Sequence, residues 1–287
     1  MIFSAILLFI LAYYLNGIRD LERGFLPARP GKSHASPLLQ SPIGLVFRLP
    51  RVGIISWAIG MFVLGASYGS VFGDLESFFS DNELLEQLLA GGEGLTIVEQ
   101  FIPIIIVVNA LIASIPPIIA MNKLYSEEKR ERLDSLLGTA LSRTRLFGSY
   151  AVIAVVNSVV MLFFVAIGLW SAGYVSMDGD LSFCAIIEST LAYFPAVLVM
   201  IGISALLIGW LPKFTNIIWV YLLYSFIVIY FGELFQFADW VGKTTPFGYV
   251  PQGPIEEITT LPLFILSLLA IVLFIFGFIG FNRRDIQ

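Results

Sequence analysis

Residues 150–173 read Tyr150-Ala-Val-Ile-Ala-Val-Val-Asn157-Ser-Val-Val-Met-Leu-Phe-Phe-Val-Ala-Ile-Gly168-Leu-Trp170-Ser-Ala-Gly173, with no charged side chain among them. A helix rises 1.5 Å per residue, so about 20 such residues cross a hydrocarbon core about 30 Å thick. Six further apolar segments follow the same pattern on either side: Ile2–Leu15, Val52–Phe72, Phe101–Met121, Phe183–Trp210, Ile217–Phe235 and Leu261–Phe281. Composition agrees. Hydrophobic residues make up 58% of the chain and charged residues 13%, against about 25% charged in a soluble domain. The mean hydropathy is +0.90. The expected fold is all-α, a polytopic helical membrane protein with about seven transmembrane helices.

The positive charges fix an orientation, because Lys and Arg are retained in the cytoplasm. Segment 19–51 holds Arg19, Arg23, Arg29, Lys32, Arg48 and Arg51, and segment 122–149 holds Lys123, Lys129, Arg130, Arg132, Arg143 and Arg145. Lys213, Arg283 and Arg284 complete fifteen of the sixteen on one side if the spans alternate; only Lys243 falls opposite. The C-terminus is therefore expected inside and the start of the chain outside. Segment 73–99 is acidic, with seven Asp and Glu and no Lys or Arg. Within it, Ser80–Glu83 has capping-box spacing and Leu84, Leu85, Leu88 and Leu89 share a helical face, which predicts a short helix either lying on the outer membrane surface or packed on the ends of neighbouring spans. The first segment lacks the basic lead of a cleaved signal peptide.

Two cytoplasmic endings echo each other. Leu15-Asn16-Gly17-Ile18-Arg19-Asp20-Leu21 follows the first span, and Gly280-Phe281-Asn282-Arg283-Arg284-Asp285-Ile286 follows the last. The echo divides seven spans into one plus six. Residues 1–20 are then an extra span outside the functional core. Residues 21–40, with Pro27, Pro30, Gly31 and Pro37, are a cytoplasmic linker without helical period. Residues 41–287 form the six-span core. Repeated halves are common in transporters.

Several chemistries are excluded. His34 is the one histidine and Cys184 the one cysteine, so multi-histidine metal sites and internal disulfides are ruled out. Gly31-Lys32-Ser33 and Gly242-Lys243-Thr244 carry the end of a phosphate loop, but Leu26 and Phe237 stand where the first glycine is needed. Without that turn the backbone N–H groups cannot face phosphate. No carboxylate pair lies within a span, so an enzyme with its own catalytic site is not expected, nor is a metal or cofactor in this chain. Glu188 lies near the outer end of the fifth span, and Asn109 and Asn157 lie deeper, where bonds across helices are expected. These three are the candidate residues of a translocation path. No Asp, Glu, Lys or Arg sits near a midplane, so the ion relay of a secondary transporter is missing.

Segment 122–149 carries the most functional information. Ser126 is expected to cap a helix whose first turn holds Glu127 and Glu128. Arg130 and Arg132 follow, and Leu133, Leu136 and Leu137 repeat at helical spacing. Gly138 is the expected stop, and Ser142 the cap of the next helix. Such a charged amphipathic segment is either a solvated loop helix or a docking helix for a partner's groove. Gly65, Gly69 and Gly73 form overlapping G-x-x-x-G spacings that let two helix backbones approach, with the partner helix in this chain or in another copy. Pro103, Pro116, Pro117 and Pro195 are expected to kink or break their spans.

The chain resembles the permease subunits of ABC-2-type (type V) ABC exporters. Tyr125–Glu128, Leu133–Leu137 and Leu141-Ser142-Arg143 resemble that family's cytoplasmic coupling loop. Pro246-Phe247-Gly248-Tyr249-Val250-Pro251 resembles its outer re-entrant segment, residues 280–286 its C-terminus, and residues 36–51 its elbow helix (41–51 here). The closest likeness is to the second half of two-half antibiotic and multidrug export permeases of Gram-positive bacteria, with one span of the first half. The resemblance implies a six-span permease in a bacterial plasma membrane, working with an ABC ATPase dimer that binds ATP and Mg and with a second permease half or another copy of itself. Ser126, Glu127, Glu128, Arg130, Arg132, Leu133, Leu136 and Leu137 would then be the ATPase-coupling residues. The implied cargo is a hydrophobic or amphipathic compound, drug-like or lipid. A seven-helix receptor or sensor shares the span count and is the alternative; its retinal-binding form needs a Lys in the last span, which Leu261–Phe281 lacks.

Overall fold

The computed structural model describes residues 9–10, 13–14, 42–48, 50–73, 97–130, 142–179, 181–232, 234–253 and 259–284. The chain divides into two compact units, Met1–Gln40 and Ser41–Gln287. In the first, residues 9–10 and 13–14 are helical, with exposed Phe9, Ile10, Tyr13 and Tyr14 side chains.

The second unit is a helical bundle. Its elements are α1 (Pro42–Arg48), α2 (Arg51–Gly69), α3 (Ile97–Ala113), α4 (Ile115–Lys129), α5 (Arg143–Ser176), α6 (Phe183–Leu191), α7 (Phe194–Trp210), α8 (Ile217–Phe231), α9 (Asp239–Gly242) and α10 (Thr260–Arg283). No strand occurs among the described residues. Five stretches are long and apolar enough to cross a membrane: α2, Phe101–Lys129 through α3 and α4, α5, Phe183–Trp210 through α6 and α7, and α10. The protein is a multi-pass, all-α membrane protein. Helix α8 is apolar but has 15 residues, about 22 Å at the helical rise.

Two boundaries differ from expectation. The sixth span was expected to reach Phe235 but stops at Phe231. There Phe235 N–H bonds Phe231 O (2.9 Å), Phe237 N–H bonds Gly232 O (2.9 Å), and Gln236 takes a left-handed φ of 52°. These bonds close the end of the helix and turn the chain. The third span was expected to stop at Met121 but continues to Lys129.

Proline explains the interruptions. Pro116 and Pro117 carry no N–H for the carbonyls of Ile112 and Ala113. The ladder breaks at Ser114, whose hydroxyl donates to Leu111 O (2.6 Å). Pro195 marks the second break, at Ala192–Tyr193 between α6 and α7. Pro103 sits inside α3 without breaking it.

Two helix pairs form the spine of the bundle. Helix α2 lies along α5, and a β-carbon added at Gly65, Gly69 or Gly73 would collide with α5 backbone at Val165, Leu169 or Ser176. Gly168 of α5 returns the contact against Phe62. Ser176 Oγ donates to Gly69 O (2.9 Å) and accepts from Gly73 N–H (3.3 Å). Without glycine the two backbones could not approach this closely. Helices α7 and α10 are paired the same way through Gly209, Gly277 and Gly280, and Trp210 Nε1 donates to Phe276 O (2.9 Å). The glycine stripe on α2 thus has its partner helix in the same chain.

Candidate functional site

The basic end of the bundle gathers the end of α4, the start of α5 and the end of α10. Ser126 does not begin a helix there. Helix α4 runs unbroken from Ile115 to Lys129, and the Ser126 hydroxyl donates back to Asn122 O (3.3 Å). The span itself carries Glu127 and Glu128 out of the apolar region as one rigid rod, so no cap is needed at Ser126. Arg132, Leu133, Leu136 and Leu137 lie outside the described residues, as does the expected surface helix around Ser80–Leu89. The next helix starts at the expected cap: Ser142 Oγ accepts from Arg145 N–H (3.3 Å).

Glu128 is engaged from the far end of the chain. Arg284 Nη2 bonds both of its carboxylate oxygens, at 2.7 and 2.5 Å. The Arg284 carbonyl in turn accepts from Arg143 Nη1 (2.9 Å). Beneath them Phe281 packs on Phe147 (5.5 Å between ring centroids), and the Arg284 guanidinium stands 5.9 Å from the Phe281 ring. The side chains are 19% and 9% exposed. A charge-assisted pair in such a setting is stronger than a surface ion pair, and breaking it strands a charge away from water. Three helices, α4, α5 and α10, are therefore clamped at this end of the bundle.

Beside the clamp, a polar cavity of about 520 Å³ opens between α4 and the α7–α8 connection. Lys123, Lys129, Arg130 and Lys213 line it together with Glu127, Asn122 and Trp219. Asn122 is fixed by Ser204 of α7, whose hydroxyl donates to Asn122 Oδ1 (2.6 Å).

The candidate path residues separate. Glu188 is exposed on α6. Asn109 and Asn157 are buried, 1% and 2% exposed. Neither makes the expected bond across helices. Asn109 Nδ2 donates to Ile105 O of its own helix (2.9 Å), leaving its Oδ1 without a partner. Neither side-chain polar atom of Asn157 has a hydrogen-bond partner among the described residues. At the opposite end, Pro246–Tyr249 forms a 3-10 turn with Phe247 buried and stacked on Tyr193 (6.4 Å). It closes on the α6–α7 break, and Tyr221 Oη holds the approach by donating to Thr244 O (2.9 Å).

Sequence reasoning missed that Arg284 meets Glu128 and that Arg143 reaches the Arg284 carbonyl, because neither contact has a local sequence signal. It also missed the α7–α10 glycines. Gly202 and Gly209 are seven residues apart, which is a helical face repeat that was legible.

Comparison with known proteins decides the family. Residues 39–282 match the family described as the multidrug efflux system permease Rv1217c, C-terminal domain. The chain belongs to this permease family. The match bears out the resemblance to ABC-2-type exporter permeases. The chain is also 29% identical over 290 residues to the multidrug efflux system permease protein Rv1217c of Mycobacterium tuberculosis (strain ATCC 25618 / H37Rv). The alignment covers 99% of this chain and 52% of the relative, so the chain spans about half the relative's length.

Proposed function

We propose that this chain is a permease of an ABC exporter, coupling ATP hydrolysis on a separate ATPase subunit to efflux of a hydrophobic or amphipathic compound across the plasma membrane. The family match over residues 39–282 carries this proposal. It favours a permease over a seven-helix receptor.

In this scheme the basic end of the bundle is cytoplasmic. Segment 126–138 docks on the ATPase through Leu133, Leu136 and Leu137, with Arg130 and Arg132 setting its register, whereas Ser126, Glu127 and Glu128 act from α4 within the bundle, Glu127 and Glu128 being buried and Glu128 held by Arg284. ATP and Mg stay on the ATPase, and this chain supplies no catalytic group. A second permease half, or another copy of this chain, completes the pathway. Helix α4 is one piece from Ile115 to Lys129, so a push on the docked segment travels along a rigid element. The Glu128–Arg284 pair passes it on to α10.

The test is co-purification in mild detergent with an ABC ATPase. Recovery of the ATPase with the native chain, and its loss with Leu133→Asp plus Leu137→Asp, is the expected result. A correctly inserted chain that recovers no ATPase overturns the proposal.

A further inference from the structure

We propose that the groove between α2 and the α3–α4 pair binds one single-tailed anionic amphiphile, with its head at Asn157 and Lys123 and its tail along Trp57, Gly60 and Leu64. The orientation used, with Lys123 at the inner leaflet, rests on the function proposed above.

Two cavities lie along this groove. One, about 200 Å³, is lined by residues of α2 and α4 that include Gly53, Trp57, Pro116 and Lys123, and Asn157 of α5 forms its floor. The next, about 300 Å³, is lined by Ser56, Trp57, Gly60, Met61, Leu64 and Ile112. Trp57 belongs to both. The α2 residues recur every three or four positions, so the two cavities share one helical face. From Gly53 to Leu64 that face runs about 16 Å at the helical rise.

Three independent features point to an occupant of this chemistry. First, Asn157 is 2% exposed and neither of its polar atoms has a partner among the described residues, although it lines the inner cavity. A buried amide without partners is costly, and a ligand head group that both donates and accepts would satisfy it. Second, the α2 glycines fall into two classes. Gly65, Gly69 and Gly73 are pressed against α5, whereas a β-carbon added at Gly53 or Gly60 meets nothing within 4 Å. No packing within the described residues requires glycine at those two positions, and both lie on the groove. Third, charge is one-sided. Lys123 lines both the groove and the polar cavity that also holds Lys129, Arg130 and Lys213. Basic pockets between transmembrane helices at the inner leaflet favour anionic heads, and the apolar stretch beyond Trp57 accepts a hydrocarbon tail.

The test uses the full chain in nanodiscs of neutral phosphatidylcholine, with no ATPase present. Trp57 fluorescence is taken as the difference between the native chain and Trp57→Phe. Three probes carry the same dibrominated chain: 9,10-dibromostearate, its trimethylammonium counterpart and dibromo-phosphatidylglycerol. Dibromostearate should quench Trp57 saturably, and the cationic probe should bind about tenfold more weakly or worse. Asn157→Leu and Lys123→Gln should each weaken binding about fivefold or more. A β-carbon added at Gly60 meets no atom of the described chain within 4 Å, so Gly60→Leu, whose side chain extends into the groove from there, should fold and abolish saturation. Quenching that rises linearly, is equal for both head charges, or survives Gly60→Leu overturns the site. Saturation by phosphatidylglycerol as strong as by the free acid overturns the single-tail assignment. The readout needs no ATPase, so its failure and a failed co-purification are separate results.

Discussion

Arg284, beyond the end of the last helix, holds both carboxylate oxygens of Glu128 on α4, 156 positions earlier in the chain. The pair joins the end of α4 to the end of α10. Its strength comes from opposite charges at hydrogen-bond distance, with one nitrogen, Nη2, shared by both oxygens, and from limited access to water. Arg284→Gln or Glu128→Gln is expected to lower unfolding stability in detergent by about 1–3 kcal/mol. The double variant should cost less than the sum of the two. Arg284→Lys should recover part of the loss, since one nitrogen, Nη2, already makes both contacts and an ammonium can do the same. Thermal unfolding of the four variants measures this, and strict additivity would show that the residues do not act as a pair.

The two glycine classes on α2 make a sharper contrast. Gly69→Leu places side-chain atoms against α5 backbone, and overpacking of this kind costs about 1–3 kcal/mol or more. At Gly60 an added β-carbon meets open space, so Gly60→Leu, which grows outward from there, should leave unfolding unchanged within about 0.5 kcal/mol. Equal destabilisation by both would contradict the α2–α5 packing.

Asn157→Leu is expected to separate stability from function. It replaces an unpartnered buried amide with an apolar group of similar size, so the apo chain should become more stable by about 1 kcal/mol. Export should fall over the same substitution. A loss of stability would mean that Asn157 is satisfied within the protein.

Topology can be read from the native cysteine. Cys184 is exposed at the start of α6, at the end of the bundle opposite Lys123 and Arg284. A membrane-impermeant maleimide should label it in intact cells. Labelling only after permeabilisation would reverse the orientation.

Much of this fold was legible because bilayer thickness imposes a length on each apolar helix. Ser142 was readable as a cap because its bond is local. Ser126 was misread for the opposite reason: a good cap residue inside a continuing helix forms a back-bond to Asn122, and sequence does not say whether the preceding span has ended. The prolines were half legible. Pro116, Pro117 and Pro195 mark breaks, whereas Pro103 is absorbed, since tolerance depends on what supports the freed carbonyl. Glu128–Arg284 was out of reach, because two residues so far apart meet only through the packing of α4, α5 and α10. Asn157 was singled out by its polarity alone. Its missing partner is a property of the fold, which left it facing a groove instead of a neighbouring helix.

The measurement that bears most directly on the permease assignment is ATP turnover in proteoliposomes. The chain, supplied with any second permease half it requires, is reconstituted with its ATPase, and hydrolysis and loss of a fluorescent amphiphile are followed together. The expected result is ATP-dependent efflux that Leu133→Asp plus Leu137→Asp abolishes in a chain that is still correctly inserted. Efflux that proceeds unchanged with that variant, or hydrolysis that does not respond to the chain, would contradict it.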